Sequence, residues 1–326
     1  MSSPTLAFAL RRLIQLVPVV LAFASLNFVL LHVAPGDAAD VLAGMAGHAT
    51  PEYVSQLRAE FGLDRPLPEQ FVIFMRKLLT LDLGVSPVHQ TRVSSLILDR
   101  LAATILLMGS AIVLAVALGV VLGVTAAMRH RSWIDGLISV AALVVYATPV
   151  FWLGLMLIVL FSLSLGLLPS GGMVEIAADK RGLAYGLDVL RHLALPAVTL
   201  ALFYVALYTR LMRASMLEVY GLDYIVTARA KGLSERAIAW GHAARNALLP
   251  VVTLAGVQLG HLLGGSILVE TVFGWPGLGR LVFDALLQRD LNLLLGILFV
   301  SSVAVVLANL LVDLVYGLLD PRIVQA

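Results

Sequence analysis

Long apolar segments restrict the fold of this chain more than any other feature. A helix that crosses a membrane needs about 20 consecutive, mostly apolar residues. Only 13% of the 326 residues are charged and 60% are hydrophobic, whereas a soluble domain carries about 25% charged residues. The sequence therefore predicts an all-α protein that crosses the membrane six times, near residues 13–33, 101–128, 134–165, 193–213, 247–269 and 293–317.

The first apolar segment, LIQLVPVVLAFASLNFVLLHV, has two interpretations. A secretory signal peptide has an apolar core of about 7–15 residues and a small-residue cleavage site. This run is longer, because it extends from residue 13 to residue 33, so we expect a retained membrane helix. Together with the polar segment 34–100 it forms the first predicted domain, 1–100, and the other five spans form the second, 101–317.

The distribution of lysine and arginine predicts the orientation, because cytoplasmic loops carry an excess of these residues. With the N-terminus inside, the short outer loops hold Lys180, Arg181, Arg191, Arg280 and Arg289. The inner side holds more: Arg11, Arg12, Arg129, Arg131, Arg210, Arg213, Arg229, Lys231, Arg236, Arg245 and Arg322. We therefore expect both termini in the cytoplasm and 34–100, which is long enough to translocate regardless of charge, on the outside.

Several kinds of chemistry lack their sequence signals. The chain has no cysteine, no GxxxxGK[ST] phosphate-binding loop, and no HExxH or other metal-ligand spacing. The glycines of GWPGLGR, 274–280, do not open a helix after a strand, so this segment is predicted to be a turn. We therefore expect no catalytic residues, no metal site and no cofactor in this chain.

Charged side chains within the spans are rare, and Asp313 in the last span is the main one. Carriers driven by ions or protons usually need such residues as relays. A secondary carrier is therefore disfavoured, and the energy for any transport should come from another chain. An intramembrane enzyme is a further alternative, but it would need a catalytic pair on facing helices, and His261 has no evident partner in the sequence.

The fifth span has a face of small residues and a polar face. Gly256, Gly260 and Gly264 recur every fourth residue and form a narrow ridge that lets another helix approach closely. Gly119 and Gly123 predict a similar contact on the second span. Polar residues away from the ridge either hydrogen-bond a neighbouring helix or line a translocation path: Gln258, His261 and Ser266.

The stretch TARAKGLSERAIAWGHAARNALLPVVT, residues 227–253, is unusually polar for its surroundings. Before Gly232 the residues suit a short helix, and a glycine there predicts a corner with positive φ. Ser234 is a good N-cap for a second helix. That helix is expected to end at Arg245, and Asn246 is expected to cap the fifth span.

Two functions are open for this helix–corner–helix segment. Its small alanine side chains would let it enter a groove on another protein, to which Arg229 and Lys231 would offer charge. The alternative is an amphipathic surface helix held at anionic lipid headgroups.

The segment 227–253 resembles the cytoplasmic loop of permeases in binding-protein-dependent ABC importers, in particular the peptide/nickel family and its dipeptide- and oligopeptide-permease B type. The general importer consensus has a glutamate six residues before the glycine, where this chain has Val226, and peptide-type members share that departure. Further similar motifs follow in the family's order: LHVAPGDAAD, FGLDRPLPEQF, LDLGVS, ATPVFWLGLMLI, LGLLPSGG, LRHLALPAVTLAL, LLGGSILVETVFGWPGLGRL and NLLVDLVYGLLDPRI.

The resemblance implies a type I ABC importer permease fold in the bacterial inner membrane. It implies a second, homologous permease as a heterodimer partner, two ATPase subunits that bind ATP and Mg, and an extracytoplasmic solute-binding protein. The chain would form half of a path for di- or oligopeptides, or alternatively for nickel chelates, glutathione or another solute. Within the cytoplasmic loop 214–246, the ATPase-coupling residues would be Thr227, Ala228, Arg229, Ala230, Lys231, Gly232, Leu233 and Glu235.

Overall fold

A computed structural model describes residues 18–30, 32–33, 39, 43–44, 50–175, 180–261 and 267–319. The chain divides into two compact units, one from residues 1–102 and 277–326 and the other from 103–276. As the composition predicts, nearly all regular structure in the described residues is helical. The exception is one short hairpin, in which Val85 pairs with Arg92 and Ser86 with Thr91.

In the described residues, the unit built from both ends of the chain contains the hairpin, several helices and the first turns of the long helix α4. The described part of segment 34–100 is partly helical. The elements in chain order are α1 (Pro18–Leu30), α2 (Pro51–Phe61), α3 (Leu67–Leu79), β1 (Val85–Ser86), β2 (Thr91–Arg92), α4 (Val93–Met128), α12 (Leu278–Leu287) and α13 (Leu291–Leu319).

Contacts between distant parts of the sequence hold this unit together. The hydroxyl of Ser86 donates a hydrogen bond to the buried carboxylate of Asp290. The same carboxylate accepts from the Leu293 amide at 3.0 Å, which caps the first turn of α13. At Gly296 an added Cβ would lie 2.5 Å from Cγ1 of Val93. The hairpin and the start of α4 are therefore fixed against α13.

The second unit contains the rest of α4 and the helices that follow it. Two stretches are π-helical, with one extra residue per turn, and each continues directly from an α-helix. The elements are α5 (Trp133–Ala147), α6 (Val150–Leu157) with its π-helical extension Ile158–Ser164, α7 (Leu183–Val219), α8 (Asp223–Ala230), α9 (Glu235–Ala237) with the π-helix Ile238–Ala243, α10 (Ala244–His261) and α11 (Ile267–Val272).

Two unbroken helices in the described residues, α4 and α7, are long and apolar enough to cross a membrane. They contain the predicted second and fourth spans and extend beyond them. The shorter apolar helices α1 and α13 lie where the first and last spans were predicted.

The predicted third span, 134–165, is not one continuous helix. It is a bent pair, in which the axis of α5 and that of α6 with its π-helical extension differ by 102°. The bend follows from Pro149, because proline disfavours helical backbone in the preceding residue. Thr148 accordingly has extended backbone, with φ −83° and ψ 132°.

The predicted small-residue contact on the second span is confirmed. An added Cβ at Gly119 would lie 2.5 Å from Cβ of Tyr208, and one at Gly123 would lie 2.6 Å from Cβ of Met212. Real Cβ atoms essentially never approach so closely. The two glycines therefore allow α4 and α7 to pack with their backbones close together, as small residues do in membrane helix pairs.

Candidate functional site

The corner between α8 and α9 has the conformation that the sequence predicts. Helix α8 ends at Ala230, and Gly232 follows with a φ of +78°. The Gly232 amide donates to the carbonyl of Arg229 at 2.9 Å, and the Leu233 amide donates to that of Ala228 at 3.4 Å. These bonds satisfy carbonyls that the last turn of a helix leaves free.

Glycine at this corner is required for its backbone conformation and not for lack of space. An added Cβ at Gly232 would meet no atom within 4 Å. Any other residue would still be held in the left-handed region, which costs roughly 1–2 kcal/mol. The corner thus constrains the backbone while it leaves the space around it open.

Helix α9 begins as predicted, because the hydroxyl of Ser234 accepts a hydrogen bond from the Ala237 amide at 3.3 Å. The predicted break at Arg245 and Asn246 is wrong. Glu235–Ala237 continues through the π-helix Ile238–Ala243 directly into α10. Asn246 caps nothing; its side-chain amide donates to the Tyr224 hydroxyl of α8 at 2.7 Å, so a contact across the corner takes the place of a cap.

An ion pair spans the corner. Nε of Arg229 donates to Oε1 of Glu235 at 2.8 Å, and a second guanidinium nitrogen lies 3.3 Å from Oε2. The guanidinium also lies 5.7 Å from the centre of the Tyr220 ring. The hydrogen bond from Arg229 lowers the pKa of Glu235. Of the two cations expected to face a partner, Arg229 is thus bound within the chain, while Lys231 is exposed.

The corner segment has an inner and an outer face. Ile225 and Ala228 are buried and belong to the same apolar core as Ile238 and Ala239, so α8 is anchored to the helix that follows the corner. Ala228, one of the eight predicted coupling residues, therefore faces inward. The other seven are exposed: Thr227, Arg229, Ala230, Lys231, Gly232, Leu233 and Glu235.

The exposed face is more apolar than its basic sequence suggests. The side chain of Val226 is 58% exposed and that of Leu233 is 40% exposed. Small or apolar side chains at the surface around Ala230 suit contact with a complementary groove, because they leave water on binding without breaking hydrogen bonds. The exposed apolar surface is therefore compatible with a groove on another protein, and also with contact at a lipid surface.

The structure describes the predicted path and packing residues of the fifth span only in part. Gly256 is buried in α10 and Gln258 is half-buried. The side chain of His261 and the surroundings of Gly260 lie outside the described residues. Gly264 and Ser266 lie outside them altogether. The ridge and the polar face stay predictions.

Sequence reasoning missed a buried ion pair on the turn between α4 and α5. Asp135 is 5% exposed. Its Oδ1 accepts from Nε of Arg213 at 2.6 Å, and its Oδ2 accepts from a second nitrogen of the same guanidinium at 2.8 Å. The Arg131 amide also donates to Oδ2, at 3.0 Å. The two partners are 78 residues apart, so no local pattern could have indicated this pair.

A buried carboxylate just after the predicted fifth span was also missed. Glu270 in α11 has no exposed surface, and the Thr104 hydroxyl lies 3.3 Å from its Oε1. The nearby Trp275 is fully buried and donates from its indole nitrogen to the Ala103 carbonyl at 2.9 Å. The signal was an acidic residue at the end of an apolar run.

Comparison with known proteins agrees with this architecture. Residues 119–325 match the family model of the binding-protein-dependent transport system inner membrane component, and residues 5–108 match the model of its N-terminal part. The chain belongs to this family. The permease is 40% identical to the dipeptide transport system permease protein DppB of Escherichia coli (strain K12), with 98% of each chain covered.

Other relatives are equally similar along the whole length. The permease is 41% identical to a protein of Brucella suis biovar 1 (strain 1330) that carries a provisional peptide-permease name, over 98% of this chain and 99% of the relative. The family is a membrane component of ATP-driven importers and not a catalytic one. The protein is therefore an inner-membrane permease that acts with a solute-binding protein and an ATPase.

Proposed function

We propose that this permease forms one half of the translocation path of a peptide importer, and that residues 223–235 couple it to ATP hydrolysis. The substrate class is supported by the end-to-end similarity to a dipeptide permease, since 98% of both chains align. The observation that carries the coupling role is the exposed corner at Gly232, which is fixed on its inner side and open on its outer side.

The arrangement of the corner supports transmission of movement. Ile225 and Ala228 on α8 share a core with Ile238, and the Arg229–Glu235 pair joins the two helices across the corner. The corner therefore moves as one body with the start of the α9–α10 helix. A groove on an ATPase that grips Val226, Ala230 and Leu233 would displace that helix when ATP binding closes the ATPase.

The proposal includes the assembly around the permease. Six membrane helices place both termini in the cytoplasm and segment 34–100 outside. A second homologous permease completes the path, two ATPase subunits bind ATP and Mg, and an extracytoplasmic binding protein delivers the peptide. Gln258, His261 and Ser266 are the proposed lining of the path, and the glycine ridge of the fifth span packs against a neighbouring helix.

Substitution of Gly232 tests the coupling role. The Cβ atom of Gly232→Val would meet nothing within 4 Å, but the substitution strains the backbone. We expect normal membrane level, loss of ATP-dependent dipeptide uptake in proteoliposomes, and loss of the stimulation of ATP hydrolysis by loaded binding protein. The matched control is Gly186→Val, because an added Cβ there also meets nothing within 4 Å and the φ of Gly186 is not positive.

The outcomes separate the parts of the proposal. Normal uptake by Gly232→Val would refute the coupling role of the corner. If uptake by the wild type depends on an ion gradient and not on ATP, the assignment as an ATP-driven importer is refuted. If a nickel chelate or glutathione competes for uptake and dipeptides do not, the protein is still part of an ATP-driven importer, but its substrate is not a peptide.

A further inference from the structure

The turn between α4 and α5, residues 129–132, carries positive charge that the protein does not neutralise. Arg129 and Arg131 are exposed, and within the described part of the chain neither guanidinium group forms an ion pair with a carboxylate within 4 Å. Asp135 is the one acidic residue in the sequence between 100 and 174. It is already engaged by Arg213, at 2.6 Å.

The turn is also held in one conformation. Arg131 has a φ of +63°, which is unfavourable for a residue with a side chain. The hydrogen bond from its amide to the buried carboxylate of Asp135 holds it there. Ser132 caps α5 by accepting from the Asp135 amide at 3.4 Å. Both arginine side chains are therefore exposed on a turn whose backbone is held by hydrogen bonds.

An exposed apolar stripe begins beside this charge. The side chain of Trp133 is 76% exposed, and those of Leu137, Val140 and Val144 are each 59% exposed. Their spacing of four, three and four residues places them on one face of α5. Tryptophan is enriched where a membrane helix meets the headgroups. The order along the helix, arginine, then tryptophan, then aliphatic residues, matches the order of layers in one leaflet of a bilayer.

We propose that this surface, Arg129 and Arg131 with the stripe Trp133, Leu137, Val140 and Val144, binds an anionic phospholipid of the cytoplasmic leaflet. The two guanidinium groups contact the phosphate, and the acyl chains lie along the stripe. Charge complementarity selects this occupant, because a second permease on the stripe alone would leave both arginines unexplained. The leaflet follows from the orientation given under the proposed function.

The expected preference follows from membrane electrostatics. Each arginine near an anionic membrane surface contributes about 1 kcal/mol, which corresponds to roughly a fivefold change in binding per residue. Because the two arginines share one phosphate, we expect the site to prefer an anionic over a zwitterionic lipid by at least about fivefold.

Site-directed quenching tests the proposal directly. The chain has no cysteine, so Leu137→Cys provides a single labelling site on this permease for a bimane fluorophore. The labelled permease is purified with its partner chains and reconstituted in vesicles that contain brominated phosphatidylglycerol or brominated phosphatidylcholine. We expect the first lipid to quench at least about fivefold more effectively.

Charge variants show whether the arginines cause this preference. In the Leu137→Cys background, Arg129→Gln with Arg131→Gln should bring the two quenching constants within about twofold of each other. Arg236→Gln is the matched control, since Arg236 is an exposed arginine on α9, away from the stripe. It should keep the preference for phosphatidylglycerol.

Each other outcome overturns the proposal. No quenching by either lipid would mean that a second protein covers the stripe. Equal quenching by both lipids with Arg129 and Arg131 present would refute the lipid site. So would a loss of preference in Arg236→Gln as large as that in the double arginine variant. Abolition of the preference by millimolar glycerol phosphate would assign the arginines to a small soluble anion. The measurement needs neither ATP nor peptide. The lipid site can therefore be refuted while the importer function is retained, and the importer function can be refuted while the lipid site is retained.

Discussion

The corner at Gly232 and the turn at Arg131 both contain a residue with positive φ, but different contacts stabilise them. Each connects two helices, and the positive φ is +78° at the corner and +63° at the turn. The corner uses glycine, with an exposed ion pair of neighbours in sequence. The turn uses an arginine that is held by a buried carboxylate and a partner 78 residues away. One is therefore stabilised locally and the other by tertiary structure.

The largest effect is expected from removing the tertiary support of the turn. Asp135→Ala would leave Arg213 partly buried without its partner and the Arg131 amide without its acceptor. Loss of one member of a buried ion pair costs about 3–5 kcal/mol, and because Arg213 is 28% exposed we expect about 3 kcal/mol. Thermal unfolding of the purified permease measures it. Asp64→Ala, at an exposed aspartate, should change stability little; equal effects of the two substitutions would contradict the stabilisation of the turn by the buried ion pair.

A reciprocal exchange of the positive-φ residues should have a medium effect. Gly232→Ala places a side chain in the left-handed region and should cost about 1–2 kcal/mol. Arg131→Gly removes such a side chain, and the gain is offset by the greater freedom of glycine in the unfolded chain, so stability should stay level or rise by about 1 kcal/mol. Unfolding measurements on both variants show whether each substitution lowers or raises the free energy of unfolding. A loss at Arg131→Gly as large as that at Gly232→Ala would mean that the arginine side chain itself stabilises the turn.

The smallest effect should come from the ion pair across the corner. Arg229 and Glu235 are 43% and 62% exposed, and exposed pairs contribute at most about 1 kcal/mol. Because Arg229 lowers the pKa of Glu235 below its ordinary value of 4.5, the contribution is complete above that value and is lost as the pH falls through the lowered pKa. Wild type and Glu235→Gln should therefore differ slightly in melting temperature at pH 7 and converge at acid pH. A difference that grows in acid would contradict the assignment.

The same contrast explains what could be predicted from the sequence. The corner was predictable because its signals are local: a glycine, a serine cap and a short polar run. The continuous helix beyond it was not, because the Asn246 side chain is satisfied by Tyr224 on the preceding helix. The bend at Thr148 had a local signal in Pro149. The length of the apolar run nevertheless led to the prediction of a single span there. The Asp135–Arg213 pair had none, since only the packing of α5 and α7 brings the two residues together.

The absence of a break between the corner and the fifth span has a mechanical consequence. From Glu235 to His261 the backbone is helical throughout, a rod about 40 Å long at about 1.5 Å per residue. A tilt of about 10° at the corner end would carry the far end through an arc of about 7 Å for a rod of this length. The π-helix Ile238–Ala243 and Pro250 lie within this stretch, but no non-helical residue interrupts it. A small rotation at the corner would therefore become a displacement at the other end that exceeds the diameter of a water molecule.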